Sequence, residues 1–281
     1  MAVFPFKHLA IDAAEALQHP DILKDLFTES LGLVIVKNVI PSAEIRSLVH
    51  QLDSYQIGDP VPWTPQQYAN QTRRQMMLLG ESLTPNVSAP NGPDLPIYFS
   101  KARWIERFLS KHNSSFFSNM KRILTAFGAP SVQPATDEKG NVYTPGTFRK
   151  LPTGCKIPLH VGNFFFDTGG YRLLRNVLDT RLQLSFFFTL RAAQKGGELA
   201  VYSAKWSDEN TPWLEEHGIW DAPKVMQQSE VIYLKPDAGD LLLFNGGNFY
   251  HRVTEVEGAH SRWTFGGFLA KDKTGSIVYW N

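Results

Sequence analysis

The chain has one cysteine, Cys155, in 281 residues, so it closes no disulfide within itself and has no CxxC metal clip. A bound metal would therefore rest on His, Asp or Glu. Neither charge is in excess: 28 Lys plus Arg against 27 Asp plus Glu leave a formal net charge of +1. That balance argues against a dedicated nucleic-acid binder, which carries a basic excess, yet one or two local cations suffice for a small anionic cosubstrate. Long apolar runs are missing too. Stretches such as Leu33–Val36 and Phe186–Phe188 are strand-sized, whereas a membrane helix needs roughly 18 apolar residues. Met1–Gln18 carries an early proline and the acids Asp12 and Glu15, unlike the basic start and unbroken apolar run of a signal peptide. The expectation is a soluble, cytoplasmic protein in a reducing compartment, with no membrane and no nucleic acid among its partners.

Hydrophobic residues make up 43% of the chain and charged residues 20%, a globular composition. The first half mixes helix signals with a strand-like run, Leu31–Val39, followed by Pro41-Ser-Ala-Glu44, which opens a helix to about Leu52. Ser42 is the expected N-cap and Glu44 lies in the first turn, where the helix dipole favours an acid. Residues 54–98 hold seven prolines and read as long loops with one short helical piece, Gln71–Leu79, and a helical stretch spans about Arg103–Phe127.

From Val142 the pattern changes to short β-branched and aromatic runs. They are Val142–Leu151, Lys156–Val161, Arg181–Leu190, Glu198–Ser203, Val231–Leu234, Asp240–Phe244, His251–Val256, Arg262–Leu269 and Ser276–Trp280, with turns such as Lys195-Gly-Gly and Asp237-Ala-Gly between them. This predicts a mainly β chain whose core is an antiparallel, two-sheet jelly roll with helices outside. No linker breaks the composition, so a single domain is expected over 1–281, with 1–141 supplying helices and substrate-side loops and 142–281 the core.

Three segments could carry chemistry. Leu159-His-Val-Gly-Asn163 closes one expected strand; Gly239–Val253 runs through Asn245-Gly-Gly-Asn248 to His251; Ser261-Arg-Trp-Thr264 opens the next strand. Two histidines at strand ends can meet in the mouth of a jelly roll. Arg262 and Thr264, two apart on a strand, share a face and can offer a guanidinium and a hydroxyl to one carboxylate. Two neutral imidazoles suit Fe(II), whose facial triad usually adds a carboxylate. That carboxylate stands two residues after the first His, where this chain has Gly162. Singly, each feature has a plainer reading: His160 as a packed side chain, Gly162 as a bulge glycine, Arg262 as an ion-pair partner. Their joint occurrence in chain order is what favours a site. His8, His19, His50, His112, His217 and His260 lack partner spacing and read as surface residues.

The chain resembles the iron(II)/2-oxoglutarate-dependent aliphatic halogenases, most closely the cyanobacterial indole-alkaloid halogenases of the hapalindole and welwitindolinone type. The resemblance rests on Tyr143–Arg149, His160-Val-Gly-Asn163, Leu184-Ser-Phe186, Gly196–Tyr202, Gly239–Gly247, Tyr250-His-Arg-Val253, Gly266–Ala270 and Val278-Tyr-Trp280. It covers about residues 142–280 and is weak before them.

The resemblance implies a double-stranded β-helix of the 2-oxoglutarate oxygenase type. It implies Fe(II) on His160 and His251, with chloride or bromide at the position that Gly162 leaves open. The cosubstrate 2-oxoglutarate would place its far carboxylate on Arg262, assisted by Thr264, with Arg149 nearby. With O2, an Fe(IV)-oxo halide would then halogenate an unactivated aliphatic C–H, in natural-product biosynthesis. Independently of the family, a missing carboxylate removes one negative charge that a halide restores. Asn163 could hydrogen-bond near the halide or simply form a strand-end turn. By resemblance Ser185 orients the oxo group; its alternative is a core serine bonded to backbone.

Phe165 and Ile157 are the expected pocket residues. Met77 and Leu78 would form either an apolar lid or part of a packing helix. The substrate expected is a free-standing small molecule, an indole alkaloid being one candidate, with no carrier protein. A hydroxylase using the same iron centre and a non-catalytic jelly-roll binding protein are the competing readings.

Overall fold

Alternation of apolar side chains along short strands builds the architecture. The computed structural model describes residues 7–55, 63–66, 76–83, 95–112, 114–166, 171, 174–179, 182–206 and 226–281. The first half supplies β1 (Lys7–Asp12), β2 (Leu31–Lys37), β3 (Trp63–Gln66), β4 (Met76–Leu79) and β5 (Val132–Pro134), with α1 (Ile22–Phe27), α2 (Ser42–Ser54), α3 (Leu95–Lys111) and α4 (Phe116–Ala126). Next come β6 (Thr147–Leu151), β7 (Ile157–His160), the one-turn α5 (Asn163–Phe166), β8 (Leu184–Arg191), β9 (Lys195–Gly196) and β10 (Leu199–Lys205). The chain closes with β11 (Val231–Leu234), β12 (Leu241–Phe244), β13 (Phe249–Val253), β14 (Val256–Glu257), β15 (Arg262–Lys271) and β16 (Ile277–Trp280).

Two sheets form the jelly roll. The large one runs β1-β2-β12-β8-β15-β6-β4-β3, with β16 joining β15 to β5; the small one runs β11-β10-β13-β7. The first half therefore gives the large sheet five strands as well as its covering helices. Along β8, Leu184, Phe186, Phe188 and Leu190 face the helices, and Phe148, Trp263, Phe265 and Leu269 of the neighbouring strands join them. Helices α2 and α4 meet that face with Ile45, Leu48 and Leu52, and with Phe116, Met120, Ile123 and Leu124, each set at helical spacing. The Phe116 ring packs edge-on to Phe188 and Phe265, centroids 4.9 and 5.4 Å away. A second cluster, with Met76, Leu78, Ile157, Leu199, Val201, Leu242, Phe244 and Phe249, fills the space between the two sheets.

Several local expectations need correction. Met76–Leu79 is a strand paired to β6, not the end of a helix; residues 71–75 lie outside the described residues. Pro41, with φ −60°, holds the N-cap of α2, and Ser42 is its first helical residue, making no side-chain cap. Glu44 does stand in the first turn of α2, but its carboxylate is spent on the start of α4, accepting from the Ser115 amide at 2.7 Å and from the Ser114 and Ser115 hydroxyls. His112 is not simply a surface residue: it lies against the Phe108 ring, centroids 4.6 Å apart, and burial, then Lys111, lowers its pKa. His217 lies outside the described residues. No helix among the described residues is long and apolar enough to cross a membrane.

Candidate active site

The site lies in the mouth between the sheets, and two register slips aim its side chains. On β7 and β13, His160 pairs with His251 but Ile157 pairs with Val253, so β7 carries one extra residue. This bulge lets Ile157 and His160 both face inward, although they are an odd number of residues apart. On β8 and β15, Thr264 pairs with Thr189 but Trp263 with Arg191, a slip of one residue. It turns Arg191 away from the cavity, where Asp53 accepts from its guanidinium at 2.5 and 3.1 Å and from the Trp263 indole N–H at 2.9 Å.

The imidazoles of His160 and His251 have centroids 4.1 Å apart. Nδ1 of His160 lies 2.8 Å from the Pro158 carbonyl, and Nδ1 of His251 lies 2.9 Å from the Phe249 carbonyl. Each carbonyl can only accept, so each ring carries its proton on Nδ1 and keeps the Nε2 lone pair available. Burial pushes the His160 pKa down to about 4 and that of His251 well below the usual range, the second further depressed by its neighbour. Both rings are thus neutral at pH 7, the form that binds a metal. Phe244 braces His251 edge-on at 4.9 Å. Among the described residues no cluster of three or more His, Cys, Asp and Glu surrounds the pair or any other point. The pair alone therefore suits a metal that takes its remaining donors from small ligands.

Position 162 is tightly enclosed. Its amide donates to the Gly246 carbonyl at 2.8 Å, and Asn163 donates to the Gly247 carbonyl at 2.8 Å, which ties α5 to the Asn245–Asn248 turn. A Cβ at 162 would stand 2.9 Å from Gln183 Nε2 and 3.0 Å from the Gly246 carbonyl oxygen. The turn is anchored from behind by Glu29, whose carboxylate accepts from Asn248 and pairs with Lys205 at 2.5 Å.

Arg262 is 5% exposed and has no acid within ion-pairing distance among the described residues. Its guanidinium stacks 5.4 Å over the Phe187 ring. Burial and the charge of Arg149 lower its pKa to about 10, so it stays charged at neutral pH. A buried cation of this kind calls for an anionic ligand. Thr264 shares its face, and Arg149 sits directly across from Thr264 on β6. Ser185 faces the cavity from β8, opposite Phe244 on one side and Phe268 on the other.

The other expected residues divide. Ile157 and Leu78 belong to the cluster between the sheets, and Leu78 stands across from Arg149. Met77 faces the opposite side of β4, opposite Lys150, and is corrected to a residue outside the cavity. Phe165 lies in α5, its side chain outside the described residues. The unpartnered atom of Asn163 is its Oδ1, an acceptor, which points at Gly247.

Three cavity residues were not anticipated: Gln183, Phe187 and Thr189. The signal for them was present, since 183, 185, 187 and 189 alternate along one face of an expected strand.

The fold is shared with solved 2-oxoglutarate-dependent oxygenases. An N-substituted L-amino acid dioxygenase from Burkholderia ambifaria, solved in complex with alpha-KG, superposes with a TM-score of 0.56 at 15% identity, over 96% of this chain and 91% of that one. A non-heme alpha-ketoglutarate-dependent carbocyclase of nogalamycin biosynthesis, SnoK, gives 0.52 at 10% identity, over 95% and 86%. The chain belongs to the family of the carrier-protein-independent halogenase WelO5, whose family model matches residues 5–281. It is also 33% identical over 101 residues to the L-gamma-glutamyl-L-propargylglycine hydroxylase of Streptantibioticus cattleyicolor; the match spans 35% of this chain and 36% of that relative.

Proposed function

We propose that the protein is an Fe(II)- and 2-oxoglutarate-dependent halogenase acting on an unactivated aliphatic C–H of a free-standing small molecule. The observation that carries the reading is position 162: two residues after His160, one of two neutral histidines whose Nε2 lone pairs are available, the chain has a glycine where a triad carboxylate would begin. Membership of a carrier-protein-independent halogenase family supports both the halide and the untethered substrate. An indole alkaloid is the first substrate class to try.

His160 and His251 would hold the iron, their rings fixed by the Pro158 and Phe249 carbonyls. When bound, iron with 2-oxoglutarate and O2 would supply hydrogen abstraction from the substrate. Arg262 would bind the far carboxylate of 2-oxoglutarate with Thr264 donating beside it, and Arg149 would add positive potential from the facing strand. Gly162 would leave one position to an external chloride or bromide. Ser185, on the inner row of β8, would donate to an oxygen in the cavity. Ile157 and Leu78 would line the apolar wall.

The test is aerobic incubation of the enzyme with Fe(II), 2-oxoglutarate, chloride and candidate indole alkaloids, read by mass spectrometry. The expected product shows a chlorine isotope pattern; only hydroxylated product at saturating chloride overturns the reading. A hydroxylase using the same centre is the second reading, supported by the partial match to a hydroxylase. Gly162→Asp separates the two: it should keep iron and turn product toward hydroxylation, at some cost in stability because its Cβ displaces the Gln183 amide.

A further inference from the structure

Gln183 immediately precedes β8, two residues before Ser185 and so in step with the row that faces the cavity. Its side chain is 0% exposed, and neither its Nε2 nor its Oε1 has a hydrogen-bond partner among the described residues. A buried primary amide left unpaired is costly, and such groups almost always have a partner. Rotating the amide by half a turn only exchanges its two ends, and neither position has a hydrogen-bond partner among the described residues.

The place of that amide is specific. Nε2 lies 2.9 Å from where a Cβ on Gly162 would stand, and Cγ lies 2.9 Å from where one on Gly247 would stand. The amide thus occupies the space that a side chain at position 162, two residues after His160, would enter. The backbone N–H groups nearby are already committed: Gly162 to Gly246, Asn163 to Gly247, and Gly247 to the Gln183 carbonyl at 3.1 Å. Asn163 Oδ1 lies 2.8 Å from where a Cβ on Gly247 would stand, so its amide borders the same corner.

Resting on the halogenase reading, we infer that Gln183 is the halide-selecting residue: its side-chain NH2 donates to the chloride or bromide that takes the place of a carboxylate at position 162. A halide only accepts hydrogen bonds, so it uses the NH2 that the protein leaves unpaired. Hydrogen bonds to charged partners are stronger than neutral ones, so an anion satisfies this amide better than water does. Gln183→Leu keeps the bulk and removes the donor. Gln183→Glu keeps the shape but sets a carboxylate against the anion.

The test uses anaerobic protein loaded with Fe(II) and 2-oxoglutarate and titrated with chloride, following the visible charge-transfer band. The parent should give a saturable shift. In Gln183→Leu the apparent chloride dissociation constant should rise about tenfold or more, and in Gln183→Glu further still, while half-saturation by 2-oxoglutarate moves less than about twofold. Variants that respond at the parent's chloride concentrations overturn the role of Gln183 and leave the halogenase reading standing. A parent that ignores chloride overturns both. Crystals of the parent soaked in bromide give a check that does not depend on variants folding: an anomalous peak within hydrogen-bonding distance of Gln183 Nε2 supports the assignment, and a peak on other donors overturns it.

Discussion

The two faces of the large sheet are made from the same strands and obey opposite rules. On the helix side, Phe148, Phe186, Phe188, Trp263 and Phe265 interlock as rings. On the cavity side the residues between them are Arg149, Ser185, Phe187, Thr189, Arg262 and Thr264; here, among the described residues, Arg262 is buried without an acid and the Thr189 hydroxyl has no partner. One face is satisfied by its own packing, and the other leaves buried polar groups unpaired among the described residues. Stability and binding are therefore written on alternate residues, and a substitution one step along a strand should change a different measurement.

The largest expected effect is on the helix-side face. Phe188→Ala should cost about 3–5 kcal/mol of unfolding free energy, read in a denaturant titration, with 2-oxoglutarate affinity of the folded fraction unchanged. On the other face the pattern should reverse. Arg262→Met should weaken 2-oxoglutarate binding by about 3 kcal/mol in anaerobic titration while leaving stability equal or higher, because an uncompensated buried charge is removed. If Arg262→Met destabilises the protein as Phe188→Ala does, the two faces are not different in kind.

Smaller effects sharpen the boundary between them. Burial opposes ionisation of Asp53, but the Arg191 and Trp263 donors outweigh it and hold its pKa below the ordinary 3.8. Its contribution is therefore present above that value and lost as pH falls through the folded-state value. Asp53→Asn should cost about 1 kcal/mol at neutral pH, after discounting for its partial exposure, and should flatten the acid limb of a stability profile. Smallest is Thr264→Val, which should weaken 2-oxoglutarate by about 1 kcal/mol and leave thermal melting in place.

Much of this contrast was legible in the chain. Val231–Leu234 forms a strand at the limits its β-branched residues suggest, and Lys156–Val161 and Arg181–Leu190 shift by only a few residues at either end. Val142–Leu151 becomes a strand only from Thr147, because Pro145 and Gly146 precede it. Met76–Leu79 went astray because Met and Leu favour helix in isolation, whereas pairing with β6 overrides that preference. The histidines, Gly162 and Arg262 stood out because they carry a motif. Gln183 belongs to none; alternation puts it in the inward row, but its complete burial beside a glycine, a property of the folded chain, is what singles it out.

The extra residue between Ile157 and His160 has a consequence for how such a site is gained and lost. Strand direction is a parity code, inward on one count and outward on the next, and the bulge is a single odd step within it. Removing one residue there would turn the imidazole from the cavity to the other face of the small sheet, where Leu159, Val161, Tyr202 and Tyr250 are packed. A single-codon deletion would thus silence the proposed centre while most of the sheet pairing stayed, and a single-codon insertion would restore it. The scaffold and its chemistry can part company in one genetic event.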